Sequence, residues 1–379
     1  KNQGQWRPHS LNLTICKIVR IYFIYFCANL CNLHNLLINA KMHVNEFIIF
    51  LLIILQCTVI FCFDPFSIGS AAVVGIGSYL YDKTYCKWKE CCTDKEIPGN
   101  VNQLEALLKS KVYGQHLAEE IIVKALKSHW DERYQPSKAL TLSFHGWPGG
   151  GKNYVTGFIK EALFTLGGAS DHVHHFVSRI NFPEESKVAQ YQRDLYEWIK
   201  SNVTKCPKQL FVFDEVDKAP EYLLNIIKPL IDYNAYVAKV DYRKSIFIFL
   251  SNTGESLITD QMIKLHHSGI PRKDIQLQDF ENLIIKGAFN EHGGFHHSDT
   301  IKSNLIDHYV PFLPLEMEHV RACIIDQFRM RGVNRPSEDD VLSILEFVEW
   351  GPSPDNLYSK TGCKRISQKV ALIVHTHWR

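Results

Sequence analysis

The chain has 379 residues, 46% of them hydrophobic and 22% charged, which is the balance of a folded globular protein with ample core to bury. Lys plus Arg number 42 against 40 Asp plus Glu, a formal net charge of only +2, and no long basic run stands out. Composition therefore gives no support to a nucleic-acid partner and excludes a mainly disordered chain.

Residues 1–41 carry a loosely apolar stretch broken by Arg20, several Asn and His34, and they read as a translated leader or a non-native segment rather than a domain. From Met42 the pattern sharpens. Phe47 to Phe63 is an uncharged apolar run of 17 residues, the length of a signal h-region and slightly short for a spanning helix. Residues 42–63 are thus expected to be a signal sequence or anchor. Residues 64–95 follow as an apolar, Cys-containing segment that could lie against a membrane, with Ile68 to Leu80 as its apolar part. Either reading sends the rest of the chain into the secretory lumen, where disulfides are permitted chemistry. A zinc site from Cys86, Cys91 and Cys92 lacks a fourth ligand at the usual spacing. Asn202-Val203-Thr204 is an N-glycosylation sequon.

Beyond Pro98-Gly99-Asn100 the segments alternate as a doubly wound α/β domain requires. Gln115 to Trp130 reads as an amphipathic helix and Ala139 to His145 as a strand. A Gly-rich turn and a helix from Asn153 come next. His172 to Arg179 is a second strand, Lys187 to Ser201 a helix, and Gln209 to Phe213 and Ser245 to Leu250 are short buried strands. After Ser268 the strands thin out. His308 to Phe312 is one more candidate, then Leu315 to Met330 and Ser337 to Val348 look helical. A large subdomain over residues 96–268 and a smaller, mainly helical one over 269–379 are expected.

Gly146-Trp147-Pro148-Gly149-Gly150-Gly151-Lys152-Asn153 fits G-x-x-x-x-G-K-x between a strand and a helix. Such a turn wraps phosphates with backbone N–H groups, favoured further by the helix N-terminus, and Lys152 would reach the β- and γ-phosphates. Asn153 stands where Ser or Thr usually ligates Mg²⁺, and its amide oxygen can still serve. About 60 residues on, Phe211-Val212-Phe213-Asp214-Glu215 forms a Walker B strand. Asp214 would hold Mg²⁺ and Glu215 would polarise the attacking water, while Asp217 and Lys218 complete the turn. Asn252, at the end of the 245–250 strand, sits where AAA+ enzymes place sensor 1. Gly362-Cys363-Lys364, before the last helix, is placed like sensor 2, with Lys364 as its cation. Tyr113-Gly114-Gln115 resembles the adenine-side box of Clp-type proteins.

Together these motifs resemble the torsin family, from about residue 64 to 375. The resemblance implies an AAA+ P-loop fold of the Clp-like branch, using ATP and Mg²⁺ in the endoplasmic reticulum lumen and perinuclear space. It implies work on membrane or nuclear-envelope proteins, a homo- or hetero-oligomer, and a membrane-anchored activator with an AAA-like lumenal domain. Pro148 and the Lys364-Arg365 pair depart from the family pattern. Where Clp-type relatives carry Asn-Arg-Ile-Asp, with an arginine finger, this chain reads Asn304-Leu305-Ile306-Asp307. The finger would then come in trans from the activator. A nucleotide-gated binding module without turnover is the alternative. Cys323 and Cys363 are a candidate disulfide beside Lys364. His292, His296 and His297 lie in a Gly-containing polar segment that reads as a solvated loop more readily than as a metal site.

Overall fold

The computed structural model describes Cys86 and residues 89–377 of the chain. The leader, the signal or anchor run and the apolar 68–80 stretch lie outside the described residues. Residues from Glu90 onward form one compact unit. Among the described residues no helix is long and apolar enough to cross a membrane.

Helix α1 (Val101–Lys111) is an element that the pattern reading passes over. The Asn100 side chain caps it, accepting from Gln103 N–H at 3.0 Å, and Val101, Leu104 and Leu108 form its buried stripe. Then come α2 (His116–His129), β1 (Leu140–Gly146), α3 (Lys152–Leu163), β2 (Val173–Val177), α4 (Val188–Lys205), β3 (Leu210–Asp214) and β4 (Ile246–Ser251). They are followed by α5 (Glu255–His267), α6 (Glu281–Asn290), β5 (His308–Phe312), α7 (Met317–Arg329), α8 (Glu338–Leu345) and α9 (Ile366–His377).

The five strands make one parallel sheet in the order β2-β3-β4-β1-β5. Its central strands are buried on both faces, so they read as unbroken apolar runs. The period of two sorts their side chains. Phe211, Phe213, Phe247 and Phe249 enter one core, while Leu142, Phe144, Val212, Ile248, Val310 and Phe312 enter the other. This is the α/β fold with a parallel sheet read from the sequence.

Two expected boundaries move. Strand β5 pairs with β1, from Leu142 with His308 to Gly146 with Phe312, so the large subdomain runs through Phe312 rather than ending at Ser268. The helical subdomain begins only near Leu315, where α7, α8 and α9 gather a third core around Val320, Ile324, Phe328, Ile344 and Val370. At the other end, residues 90–95 already belong to the same compact unit. Glu90 accepts from Ser170 Oγ at 2.8 Å, and Cys92 is bonded to Cys206. Cys86, Cys91, Cys92, Cys206, Cys323 and Cys363 are all disulfide-bonded, which removes the zinc reading of the first three.

Candidate active site

A parallel sheet presents the carboxyl ends of its strands along one edge, and the motif residues sit there because each follows a strand. β1 delivers the Gly-rich turn, β3 delivers Asp214 and Glu215, and β4 delivers Asn252. They open on a cavity of about 430 Å³ lined by Pro148 to Tyr154, Asp214, Glu215, Asn252 and Lys364. Tyr113, Leu315, Cys323, Asp326 and Met330 close it from the other side.

Lys152 Nζ lies across the turn, donating to the carbonyls of Gly146 and Trp147 and to Asn252 Oδ1 at 2.9 Å. Burial pushes its amine down to about 8, against the pull of Asp217, Glu255 and Asp214. Asn153 Nδ2 donates to Asp214 Oδ2 at 3.0 Å. Burial pushes the Asp214 carboxyl up, but hydrogen bonds from His175, from Asn153 and from the Glu215 N–H outweigh it. The carboxyl ends below its usual value and stays ionised. Glu215 has φ +54, the left-handed region that a non-glycine residue enters only under constraint, and its Oε2 lies 3.5 Å from Arg179 Nε.

The turn before α9 packs on the Gly-rich turn main chain to main chain at Gly149 and Gly362. A Cβ on Gly149 would come within 1.9 Å of Thr361 O, and one on Gly362 within 2.2 Å of Gly149 O. Cys363 N–H donates to Gly149 O at 3.4 Å, which sets Lys364 at the cleft. The Sγ atoms of Cys323 and Cys363 are bonded at 2.07 Å, tying α7 to this turn.

Not every expected residue faces the cleft. Trp147 turns away, its indole N–H donating to Lys360 O, and Gly146 completes β1 behind the turn. Gly114 lies behind Tyr113, where its carbonyl accepts from Arg272 at 2.7 Å. Tyr113 lines the cavity and its hydroxyl donates to Asp326 Oδ2 at 2.6 Å. Burial and that carboxylate hold the phenol well above its usual range. Asn202 sits in the last turn of α4, with its amide donating to Trp198 O at 2.8 Å. Leu305 is 3% exposed and part of the core, so position 305 does not face a neighbouring subunit.

Several residues have supporting roles that the motif reading does not assign. Gln115 is buried and bolts the Gly-rich turn to the end of β5: it donates to Gly150 O and Leu313 O and accepts from Leu313 N–H. Asp217 accepts from the Asn252 N–H at 3.1 Å, so the carboxylate read as a turn residue holds the β4 end in place. His145 is fully buried between Ser143 and Thr253, and burial pushes its imidazole down to about 4, so it is a neutral strut. Only Gln115 had a local signal, its place after Tyr113-Gly114; the others act through contacts far apart in sequence.

The torsin family model matches residues 86–213. A torsin-like protein of Caenorhabditis elegans is 39% identical over 313 residues, 80% of this chain and 86% of its own. One from Drosophila melanogaster is 38% identical over 316 residues, 82% of this chain and 93% of its own. Among solved structures, a complex of S. cerevisiae Hsp104 with ADP superposes with a TM-score of 0.49 at 16% identity, covering 74% of this chain and 47% of that one. With the identity to the worm and fly proteins running over four-fifths of its length, the chain belongs to the torsin family.

Proposed function

We propose that this protein binds ATP with Mg²⁺ in the cleft and hydrolyses it when a partner supplies an arginine. One observation carries the reading: Lys152, Asp214, Glu215, Asn252 and Lys364, from four separate segments, converge on one cavity. The turn and the N-terminus of α3 suit phosphate oxygens, with Lys152 as counter-charge. Asp214 and Asn153 would hold Mg²⁺; an ionised carboxylate beside an amide is a donor set that suits a hard cation retaining most of its water. Bound Mg²⁺ supplies neutralisation of phosphate charge. Glu215 accepts a proton from the attacking water, Asn252 orients that water, and Lys364 faces the far end of the phosphates.

Among the described residues lining the cavity the cations are Lys111, Lys152 and Lys364, with no arginine. An arginine finger is worth about 10³–10⁵ in rate, so its supply in trans would act as the switch. Turnover without such a partner should be negligible. The activator is then a membrane-anchored protein with an AAA-like lumenal domain, and the substrates are membrane or nuclear-envelope proteins. Lumenal residence is favoured by the Cys92–Cys206 and Cys323–Cys363 bonds, which persist in oxidising compartments, and by the apolar run after Met42. Glycosylation at Asn202 fits the same compartment. A second reading, a nucleotide-gated binding module without turnover, draws on the amide nitrogen rather than the oxygen of Asn153 facing Asp214. Steady-state phosphate release with and without the activator's lumenal domain separates them. Stimulation lost on mutating the activator's arginine supports hydrolysis. Brisk release by the protein alone overturns the dependence, and no release with any activator favours the binding module.

A further inference from the structure

The loop after α6 brings two of its histidines onto a glutamate that follows the Walker B turn. Nδ1 of His292 and Nδ1 of His296 lie 3.3 and 2.7 Å from the same atom, Glu221 Oε1. The three ligand atoms lie within 4.8 Å of one another. His296 is the anchored member: its side chain is 17% exposed and its ring stacks on His297 at 4.1 Å, which in turn lies 4.9 Å from Phe289. His292, whose side chain is 90% exposed, reaches in from the solvent side. The segment is therefore no simple solvated loop. The one other such group among the described residues, Glu316, Glu318 and His319, is engaged in fixing α7: Glu316 accepts from Arg272, and His319 Nδ1 accepts from the Glu316 N–H.

We propose that Glu221 Oε1, His292 Nδ1 and His296 Nδ1 form an open, three-ligand site for a zinc-class divalent metal, completed by water. With Zn–N and Zn–O bonds of about 2.0–2.2 Å, neighbouring ligands of a tetrahedron stand about 3.3–3.5 Å apart. The Glu221–His292 pair already stands at that separation. The Glu221–His296 pair is closer and needs to open by about 0.7 Å to reach it. Two imidazoles with one carboxylate select a borderline transition metal over Mg²⁺ or Ca²⁺, which prefer all-oxygen sets.

The ion would join segments already in register with the catalytic turns. Gly294 N–H donates to Val216 O at 2.9 Å, just after Glu215, and Glu291 Oε1 accepts from Gly254 N–H at 2.9 Å, just after Asn252. Metal at Glu221 would fasten the chain beyond Glu215 to the loop that also supports the Asn252 turn. This site stands whether or not the cleft hydrolyses ATP.

Calorimetric titration of the full, oxidised chain with Zn²⁺, in excess Mg²⁺ and without nucleotide, tests it. One equivalent should bind, and Tm should rise with Zn²⁺ but not with further Mg²⁺. Glu221→Gln and His292→Asn should each weaken binding at least about tenfold. His292 has little packing to lose, so its variant keeps the test valid if Glu221→Gln folds poorly. His297→Gln and Glu318→Gln should bind as the wild type does. Co²⁺ should give the visible bands of a tetrahedral site in the wild type and lose them in His292→Asn. Absence of saturable binding, or His292→Asn and Glu221→Gln binding Zn²⁺ like the wild type, would overturn the proposal.

Discussion

Lys152 Nζ donates to Asn252 Oδ1 at 2.9 Å, so the lysine of the Gly-rich turn and the polar residue ending β4 hold each other across the cleft. Incoming phosphate would compete for that lysine, whose partly buried amine has Asn252 as its side-chain partner. Three carboxylates also act on it, yet burial dominates and leaves its amine near 8 instead of 10.5.

A pH dependence of ATP affinity follows. Below about pH 8 Lys152 is already charged in the free protein, so affinity should be flat as far as this group is concerned. Above it the free amine is neutral while phosphate binds the cation, so binding must take up a proton. Affinity should then fall toward tenfold per pH unit, with up to about one proton absorbed per ATP. Calorimetry in two buffers of different ionisation heat reads the proton directly. Affinity that stays level to about pH 9.5 would show that the lysine is not titrating in this range.

Lys152→Ala and Glu215→Gln should separate binding from chemistry. The first removes a ground-state phosphate contact and should weaken ATP binding beyond detection. The second keeps size and hydrogen bonding but removes the proton acceptor, so ATP should bind normally and persist. Titration with ATP, then quantification of bound nucleotide after incubation with the activator, distinguishes the two variants. Equal binding by Lys152→Ala would undo the assignment of the phosphate turn.

Installing an arginine at position 305 should fail to create a finger. Leu305 is enclosed in the core, and its carbonyl accepts from Lys138 and Thr141. A guanidinium there is a buried, unpaired charge, at a cost of about 3–5 kcal/mol. Leu305→Arg should lower Tm by many degrees and give no self-activated hydrolysis. A variant of unchanged Tm with spontaneous turnover would contradict this packing.

Opening the Cys323–Cys363 bond should change nucleotide affinity more than overall stability. The bond ties α7, which carries Asp326 opposite Tyr113, to the turn that carries Lys364. Cys323→Ser with Cys363→Ser frees that turn from α7 while the third hydrophobic core stays in place. Comparing ATP affinity and Tm for the oxidised protein and the double variant tests the link. A large loss of Tm with unaltered affinity would assign the bond a purely structural role.

Much of the cleft was legible in the sequence because a parallel sheet converts strand order into placement. Lys152, Asp214, Glu215 and Asn252 each follow a short apolar run, and each run is recognisable by itself. Asp326 was not legible: nothing about a carboxylate on an amphipathic helix announces a tyrosine hydroxyl 213 residues earlier in the chain. The subdomain boundary failed for a related reason. Three helices, the last a single turn over Asp299–Lys302, intervene between β4 and β5, and periodicity along the chain does not say that β5 returns to pair with β1. Leu305 shows the same limit, since alignment to a motif fixes a position in sequence but not whether its side chain faces inward.

The back-to-back contact of Gly149 and Gly362 carries a mechanical consequence. Because main chain rests on main chain there, no side chain able to yield stands between Gly149 and the Thr361–Gly362 turn. A shift of the turn at that point would meet hard-sphere repulsion and press on the turn before α9, which the Cys323–Cys363 bond ties to α7. The small subdomain would then move as a lever whose fulcrum is two glycines. A single methyl group at either one would pry lever and turn apart, even in a chain that retained every ligand of the cleft.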